Sequence, residues 1–323
     1  MVQKGTKQGY SIGIIKKKNL LFTDLCSMYF KRCEANGISK YTIRGYKNVL
    51  KYFLEFEKNN ELYCKEIDIN MFEDFKLYLK RERKVKDITV NSYIRKLTPM
   101  LNYGMRLGYI HKFPYSYVKC QEVYKDIYTE EELVLLLKRP KGKQATNRFA
   151  EFRNWVICNV LLGTGLRALE LRELKVKNLD LAEGLINLSH TKNKKPRQVP
   201  IPKTLHNILV EYLEYRKGEP EDYLFPNSFG NRMPRTTLQM GITKYAKKRG
   251  VYKYSLHLFR HTFATLYLRN GGNIYTLKKI LGHSSFKMTE FYLHMAGQDL
   301  KQSIEYNPLD RIKVDNKCIR IRK

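Results

Sequence analysis

Glycine sets the geometry of the most informative stretch of this chain, HLFRHTFATLYLRNGGNIYTLKKILGHSSFKMTEFY, which runs from His257 to Tyr292. His257 and Arg260 stand three residues apart, so a helix presents them as neighbours on one face. Apolar Phe263, Leu266 and Tyr267 carry that helix to a stop at Gly271-Gly272. A second helix, Ile274 to Leu281, meets Gly282, a natural left-handed cap, with His283 just outside it. Tyr292 follows His283 by nine residues. On one continuous helix, nine steps of ~100° would put the two on opposite sides. The glycine break removes that constraint, because separate helices can turn both side chains into one site. Two histidines, an arginine and a tyrosine with no acid among them suit a phosphodiester better than a carbonyl or a metal ion.

The charge balance points the same way. Lys and Arg number 61 against 31 Asp and Glu, a formal charge of +30 over 323 residues, which favours a polyanionic partner, nucleic acid before an acidic membrane. That length allows two domains, each burying its own core. Six cysteines (Cys26, Cys33, Cys64, Cys120, Cys158, Cys318) show no C-x-x-C pairing, the pattern of reduced thiols in a cytosolic protein. The N-terminus has lysines but no apolar signal core, and the longest apolar run, around Trp155 to Leu162, is too short for a bilayer. The expectation is a soluble protein of the cytoplasm, with no membrane partner.

Residues 1–19 carry lysines and no acids and read as a flexible basic arm. From 20 to 115 the period is helical. Leu21, Leu25, Met28 and Tyr29 make an apolar stripe that stops at Asn36-Gly37, and Ser39 can cap a helix with Ile43, Tyr46, Val49, Leu50, Phe53 and Leu54 inward. Asp68 can cap a third with Met71, Phe72, Phe75 and Leu79. A fourth passes Tyr93, Leu97, Leu101 and Leu107, and Pro99 must kink it or start a new helix. Four such helices predict a small bundle whose exposed sides carry Arg44, Lys47, Lys51, Arg95 and Lys96. Residues 116–128 lack a clean period and read as a linker. Thr129 with Glu132 forms a capping box that opens a second domain, 129–303.

Within that domain, G-T-G-L-R-A-L-E-L-R-E-L lacks the G-K-[ST] of a nucleotide-binding loop. From Glu183 to Ile201 the period changes to two around the basic turn TKNKKPR, predicting a hairpin with Lys192, Lys194, Lys195 and Arg197 at its tip. The fold class is therefore mainly α with a small β-hairpin (α+β). Arg235 and Lys244 suit phosphate contacts farther along. His257 and His261, four apart, could bind zinc on a helix, but no third ligand is suitably placed and Arg260 lies between them. No metal or other cofactor is expected. The last segment, 304–323, is basic; it reads either as a contact to a neighbouring subunit or as a tail that touches phosphates.

H-x-x-R-H-T-F-A-T, then L-G-H-S-S, then a tyrosine nine residues past that histidine, resembles the tyrosine recombinase family (phage integrase or Xer-like). Gly165-Leu166-Arg167 with Glu170-Leu171 resembles the family's G-x-R-x-x-E-L box. The resemblance implies a helical core-DNA-binding domain followed by a catalytic domain, and the catalytic set Arg167, Lys192, His257, Arg260, His283 and Tyr292. Lys192 takes the family's lysine place, eight residues before Pro200, with Lys194 and Lys195 as alternatives. Glu170 would orient Arg167. DNA contacts would come from Arg44, Lys47, Lys51, Arg95, Lys96, Lys194, Arg235 and Lys244. The implied activity is site-specific cutting and rejoining of double-stranded DNA through a 3′-phosphotyrosine and a Holliday junction, by a homotetramer, without metal or ATP. A type IB topoisomerase activity and a catalytically silent DNA-binding regulator are the alternatives.

Overall fold

Short-range caps divide the first part of the chain into four helices: α1 (Phe22–Ala35), α2 (Lys40–Glu57), α3 (Ile69–Arg81) and α4 (Asp87–Leu107). The computed structural model describes residues 19–58, 61–120, 126–140, 149–188 and 196–296. It divides the chain into two units, Met1–Glu122 and Val123–Lys323. The expected arm 1–19, save its last residue, and the tail 304–323 lie outside the described residues.

In the first unit Ser39 Oγ accepts from Thr42 N (3.2 Å) and Asp68 Oδ1 from Met71 N (2.9 Å), which satisfies orphan donors at the starts of α2 and α3. The core collects Phe22, Leu25, Phe53, Phe72, Phe75, Ile94 and Leu97, all fully buried. One expectation changes and another narrows. Met28 lies on the exposed side of α1, where Cys26 and Phe30 take the inward places. Of the two outcomes expected at Pro99, the fresh start is excluded: α4 continues through it. Proline in a helix interior costs ~3 kcal/mol, and the buried Leu97, Met100 and Leu101 around it offset that at roughly 1.5–3 kcal/mol each. The stretch expected as a linker is partly claimed by both units. Lys76 Nζ donates to Ser116 O (3.3 Å), and Asn91 pairs with Val118 through both its backbone groups (2.8 and 2.9 Å). Tyr128, by contrast, is buried in the second unit, where its N–H donates to Thr262 Oγ1 (3.0 Å).

The second unit is built around one helix that is apolar on all sides. After α5 (Glu130–Leu137), opened by the Thr129–Glu132 capping box, comes α6 (Phe149–Thr164), which buries Trp155, Val156, Ile157, Cys158, Val160 and Leu161. A helix without a polar face must be surrounded. α5, α8 (Lys203–Arg216), α9 (Arg235–Lys247) and α10 (Leu256–Arg269) pack against it. Between α6 and α8 lie the short α7 (Ala168–Glu173) and an antiparallel three-stranded sheet, β1 (Leu179–Asp180), β2 (Leu185–Leu188) and β3 (Arg197–Pro200), in that order. Leu185 pairs with Pro200 and Leu188 with Arg197. The chain closes with α11 (Ile274–Leu281) and α12 (Lys287–Ala296). The architecture is the expected one, mainly helical with a small sheet. Among the described residues no helix is long and apolar enough to cross a membrane.

Gly165 makes the junction of α6, α10 and α11 possible. Its φ of +63° lies in the left-handed region, and a Cβ there would sit 2.4 Å from Phe263 Cδ1 and 2.9 Å from Leu281 Cδ2. Gly165→Ala therefore combines backbone strain with overpacking and should cost roughly 2–4 kcal/mol. A lower urea midpoint at constant slope is the expected readout. An unchanged midpoint would show that α10 and α11 yield without cost.

Candidate active site

Arg167 is the residue just before α7, in extended conformation (φ −73°, ψ 149°), and Glu170 lies on the first turn of that helix. Their spacing lets the Glu170 carboxylate accept from both the Arg167 backbone N–H (2.8 Å) and Arg167 Nη1 (2.9 Å). Arg197 approaches the same carboxylate from β3 as a fork, Nη1 to Oε1 (2.8 Å) and Nη2 to Oε2 (2.9 Å). Desolvation of this side chain, 1% exposed, works to raise its pKa. The hydrogen bonds and charges of Arg197 and Arg167 outweigh that and hold it at about 2, so Glu170 is ionised.

The end of α11 meets the same cluster. Arg197 Nε donates to Ile280 O (2.8 Å), Arg260 Nη2 to Leu281 O (2.7 Å) and Arg167 Nη2 to Gly282 O (3.3 Å). Gly282 turns the chain there with φ +62°. Arg260, on α10 and buried, also gives Nη1 to Gly165 O (2.7 Å) and Nη2 to His283 Nε2 (3.0 Å). Three of its five N–H groups are thus spent, and the others take no partner among the described residues. Burial, then the nearby Arg167 charge, pulls Arg260 down to about 10, which leaves it charged at neutral pH.

An arginine can only donate, so His283 Nε2 is an acceptor and Nδ1–H gives its proton to Thr289 Oγ1 (2.9 Å). Burial, with Arg260, Arg167, Arg197 and His261 nearby, lowers His283 to about 4, and the ring is neutral. Tyr292, on α12 and buried, lies nearly parallel to the His283 ring (centroids 6.1 Å apart, 11° between planes). Its hydroxyl meets His261 Nδ1 at 2.8 Å. Burial raises the phenol's pKa, and Arg260 and Arg167 oppose the rise.

Arg167, His257, Arg260, His261, His283 and Tyr292 line one cavity of about 920 Å³, with Asp126 at its edge. Five of the six residues expected to be catalytic therefore meet there. The sixth, Lys192, lies with Lys194 and Lys195 in the segment 189–195, outside the described residues. Arg197, expected at the hairpin tip, is instead the first residue of β3 and lies half-buried against Glu170. Strand period could have shown this, since Arg197 shares a face with the buried Val199. His261, weighed only as a zinc ligand, is the residue that touches Tyr292; its place four residues after His257 puts both on one helix face. Among the described residues no cluster of three His, Cys, Asp or Glu side chains could hold a metal. Of the expected DNA contacts, Arg44, Lys47, Lys51, Arg95, Lys96, Arg235 and Lys244 are exposed. A Cβ at Gly45 would lie 3.6 Å from Lys96 Cδ, so Lys96 of α4 lies over α2 beside Arg44.

Glu170→Gln would leave two arginines facing a neutral amide and should destabilise the protein by roughly 3 kcal/mol. A folded-state pKa of about 2 against an ordinary 4.5 means the unfolded chain binds the extra proton in that interval. Glu170's contribution is thus complete above pH 4.5 and is lost as pH falls toward 2. His283 adds a separate acid-side slope between 6.5 and 4, which the variant retains. Denaturant midpoints should therefore differ most at pH 7 and converge near pH 2–3. A pH-independent gap would show that the charge of Glu170 is not what holds the arginines.

Comparison with known proteins agrees with this geometry. Residues 127–299 match the phage integrase family and residues 21–123 match the phage integrase SAM-like domain. Tyrosine recombinase XerC of Thermodesulfovibrio yellowstonii is 31% identical over 281 residues, 83% of this chain and 89% of that protein. Tyrosine recombinase XerA of Saccharolobus solfataricus is 30% identical over 292 residues, 86% and 90% respectively. Among solved structures, the Tn1549 transposon integrase in complex with a circular intermediate DNA matches with a TM-score of 0.72 at 21% identity, over 90% of this chain and 99% of that one. A lambda integrase dimer bound to a COC′ core site matches with a TM-score of 0.69 at 16% identity, over 87% and 97%. The structural likenesses establish the fold, and the family match and sequence relatives establish descent: the chain belongs to the phage integrase family of tyrosine site-specific recombinases.

Proposed function

We propose that this recombinase cuts and rejoins duplex DNA at specific sites through a covalent 3′-phosphotyrosine on Tyr292, with a Holliday junction between two rounds of exchange. One observation carries the reading: two arginines from distant parts of the chain, Arg167 and Arg260, share a cavity with the buried Tyr292 hydroxyl. Phosphoryl transfer gathers charge on the non-bridging oxygens, and guanidinium forks grip such oxygens without needing a metal. Arg167 and Arg260 hold the scissile phosphate, His257 donates to it, and His283 holds Arg260 by accepting its N–H. Lys192, in the sequence between β2 and β3, protonates the departing 5′ oxygen. The phosphotyrosine conserves the energy of the broken bond, so rejoining requires no ATP.

The first unit supplies a positive surface, Arg44, Lys47, Lys51, Arg95 and Lys96, for the duplex backbone, and Arg235 and Lys244 serve the second. The relatives solved with DNA, including the XerH recombinase bound to a palindromic difH substrate, support a DNA recombination site as the partner. The functional unit is a homotetramer on two such sites, working in the compartment that holds the DNA.

Tyr292→Phe removes only the attacking oxygen and should bind DNA normally while giving no protein-linked DNA on a denaturing gel. A persistent adduct would assign the nucleophile to another tyrosine and would falsify this reading. A topoisomerase would relax single-site plasmid efficiently and yield no recombinant.

Lys192→Ala should slow cleavage by ~10²–10⁴-fold on ordinary DNA. The loss should be much smaller on DNA with sulfur at the 5′-bridging position, a leaving group that hardly needs a proton. Equal losses on both substrates would remove Lys192 from the general-acid role.

A further inference from the structure

The three histidines of the cavity are not equivalent toward the nucleophile. His283 has both ring nitrogens engaged, Nε2 by Arg260 (3.0 Å) and Nδ1 by Thr289 (2.9 Å), and it meets Tyr292 only as a parallel ring. His261 alone is within hydrogen-bond distance of the Tyr292 hydroxyl among the described residues, Nδ1 to Oη 2.8 Å, with ring centroids 5.6 Å apart. It follows Arg260 directly on α10, so the helix that holds the phosphate-gripping arginine also carries the group that meets the attacking oxygen. Tyr292 is buried, and a buried phenol keeps its proton unless an acceptor stands beside it.

We propose that His261 is a catalytic residue: through Nδ1 it takes the proton of the Tyr292 hydroxyl during strand cleavage and returns it during rejoining. This rests on Tyr292 being the nucleophile. In cleavage, the Oη–H bond breaks, its proton passes to Nδ1, and Oη forms the new bond to phosphorus. The bond from phosphorus to the 5′ oxygen breaks, and that oxygen leaves with a proton from Lys192. In rejoining, the 5′ hydroxyl attacks phosphorus and gives its proton back to Lys192, while Tyr292 leaves and recovers its own from the His261 imidazolium. The two steps balance with no outside reactant. The transfer requires the Nε2–H tautomer of His261, with the phenol donating to Nδ1 across the 2.8 Å contact. The charged and titratable groups that line the cavity with the pair are Arg260 and His257 on α10, Arg167 before α7, His283 after α11, and Asp126. The two arginines favour a phenolate, which eases the passage of its proton to Nδ1.

The test is single-turnover cleavage of nicked half-site DNA by wild type, His261→Ala and His261→Asn. Wild type should form the adduct; if it forms none, the recombinase reading itself fails. Both variants should bind the half-site as wild type does and cleave ~10²–10³-fold more slowly, within the usual range for general base catalysis. Imidazole added to His261→Ala should restore part of the rate, and the acid limb of the wild-type pH profile should disappear in both variants. Unlike the loss at Lys192, the loss should be as large on the 5′-bridging sulfur substrate, because this proton leaves the nucleophile and not the leaving group. A purely structural role predicts neither imidazole rescue nor a changed pH limb. Cleavage by His261→Ala within threefold of wild type, or faster, overturns the proposal and reduces the contact to a clasp on the resting tyrosine.

Discussion

Three consecutive carbonyls at the end of α11, those of Ile280, Leu281 and Gly282, each accept a hydrogen bond from a different arginine: Arg197, Arg260 and Arg167. The last carbonyls of any helix have no partner within it and carry the negative end of its dipole. Here that ordinary deficit becomes the mould that collects cations from β3, α10 and the start of α7. Gly282 makes the arrangement possible, since its left-handed turn ends the helix there and sends His283 back toward Arg260. Glu170 completes the mould from the other side by bridging Arg167 and Arg197. Each arginine is thus fixed at more than one point before any ligand arrives, and preorganised donors are worth most in a site shielded from water.

The charges at this centre are deliberately unequal. Three guanidinium groups face one carboxylate, and the neutral His283 adds nothing. With Glu170 and the Asp126 carboxylate that also lines the cavity both counted, positive charge remains in excess there. A phosphodiester brings one negative charge, and its five-coordinate transition state brings about two. For the proposed reaction, an excess of positive charge favours the more negative transition state over the ground state, and that difference is what lowers a barrier. The cost of holding such charges together is visible in Arg260, which burial and Arg167 bring down to about 10. The α11 carbonyls and Glu170 are what make that cost bearable in the free protein.

The sequence disclosed most clearly those features that depend on near neighbours. The caps at Ser39, Asp68 and Thr129, the glycine stop at Gly282 and the pairing of Arg167 with Glu170 all act across a few residues, and each is found in the structure. Features set by distant contacts were harder to read. Pro99 was legible as a kink or a fresh start, but the burial of Leu97, Met100 and Leu101 that keeps α4 continuous comes from packing against other helices. β1 has two residues, too few to show a period. Arg197 was submerged in a run of basic residues, although its alternation with Val199 pointed inward. The contact of His261 with Tyr292 joins residues 31 apart across two glycine breaks, and no local pattern specifies which of two histidines on one face would make it.

Tyr292 and the arginines that share its cavity are held by different amounts of apolar surface. Leu166, beside Arg167, and Phe259, beside Arg260, belong to the large core around α6, as do Leu171 of α7 and Val199 of β3. Tyr292 belongs to a small separate cluster with Ala264, Leu268, Leu277 and Leu281, covered by Phe263, Tyr267 and Phe291. Free energies of local opening follow the number of buried contacts, so α12 is held less strongly than the helices that carry the arginines. Lys192 falls in the sequence between β2 and β3, whose inward residues Ile186, Leu188 and Val199 return to the large core. The two parts stay joined all the same: Thr289 of α12 accepts from His283 Nδ1–H, and His283 Nε2 accepts from Arg260, so the helix of the tyrosine is tied to the buried arginine by one chain of hydrogen bonds.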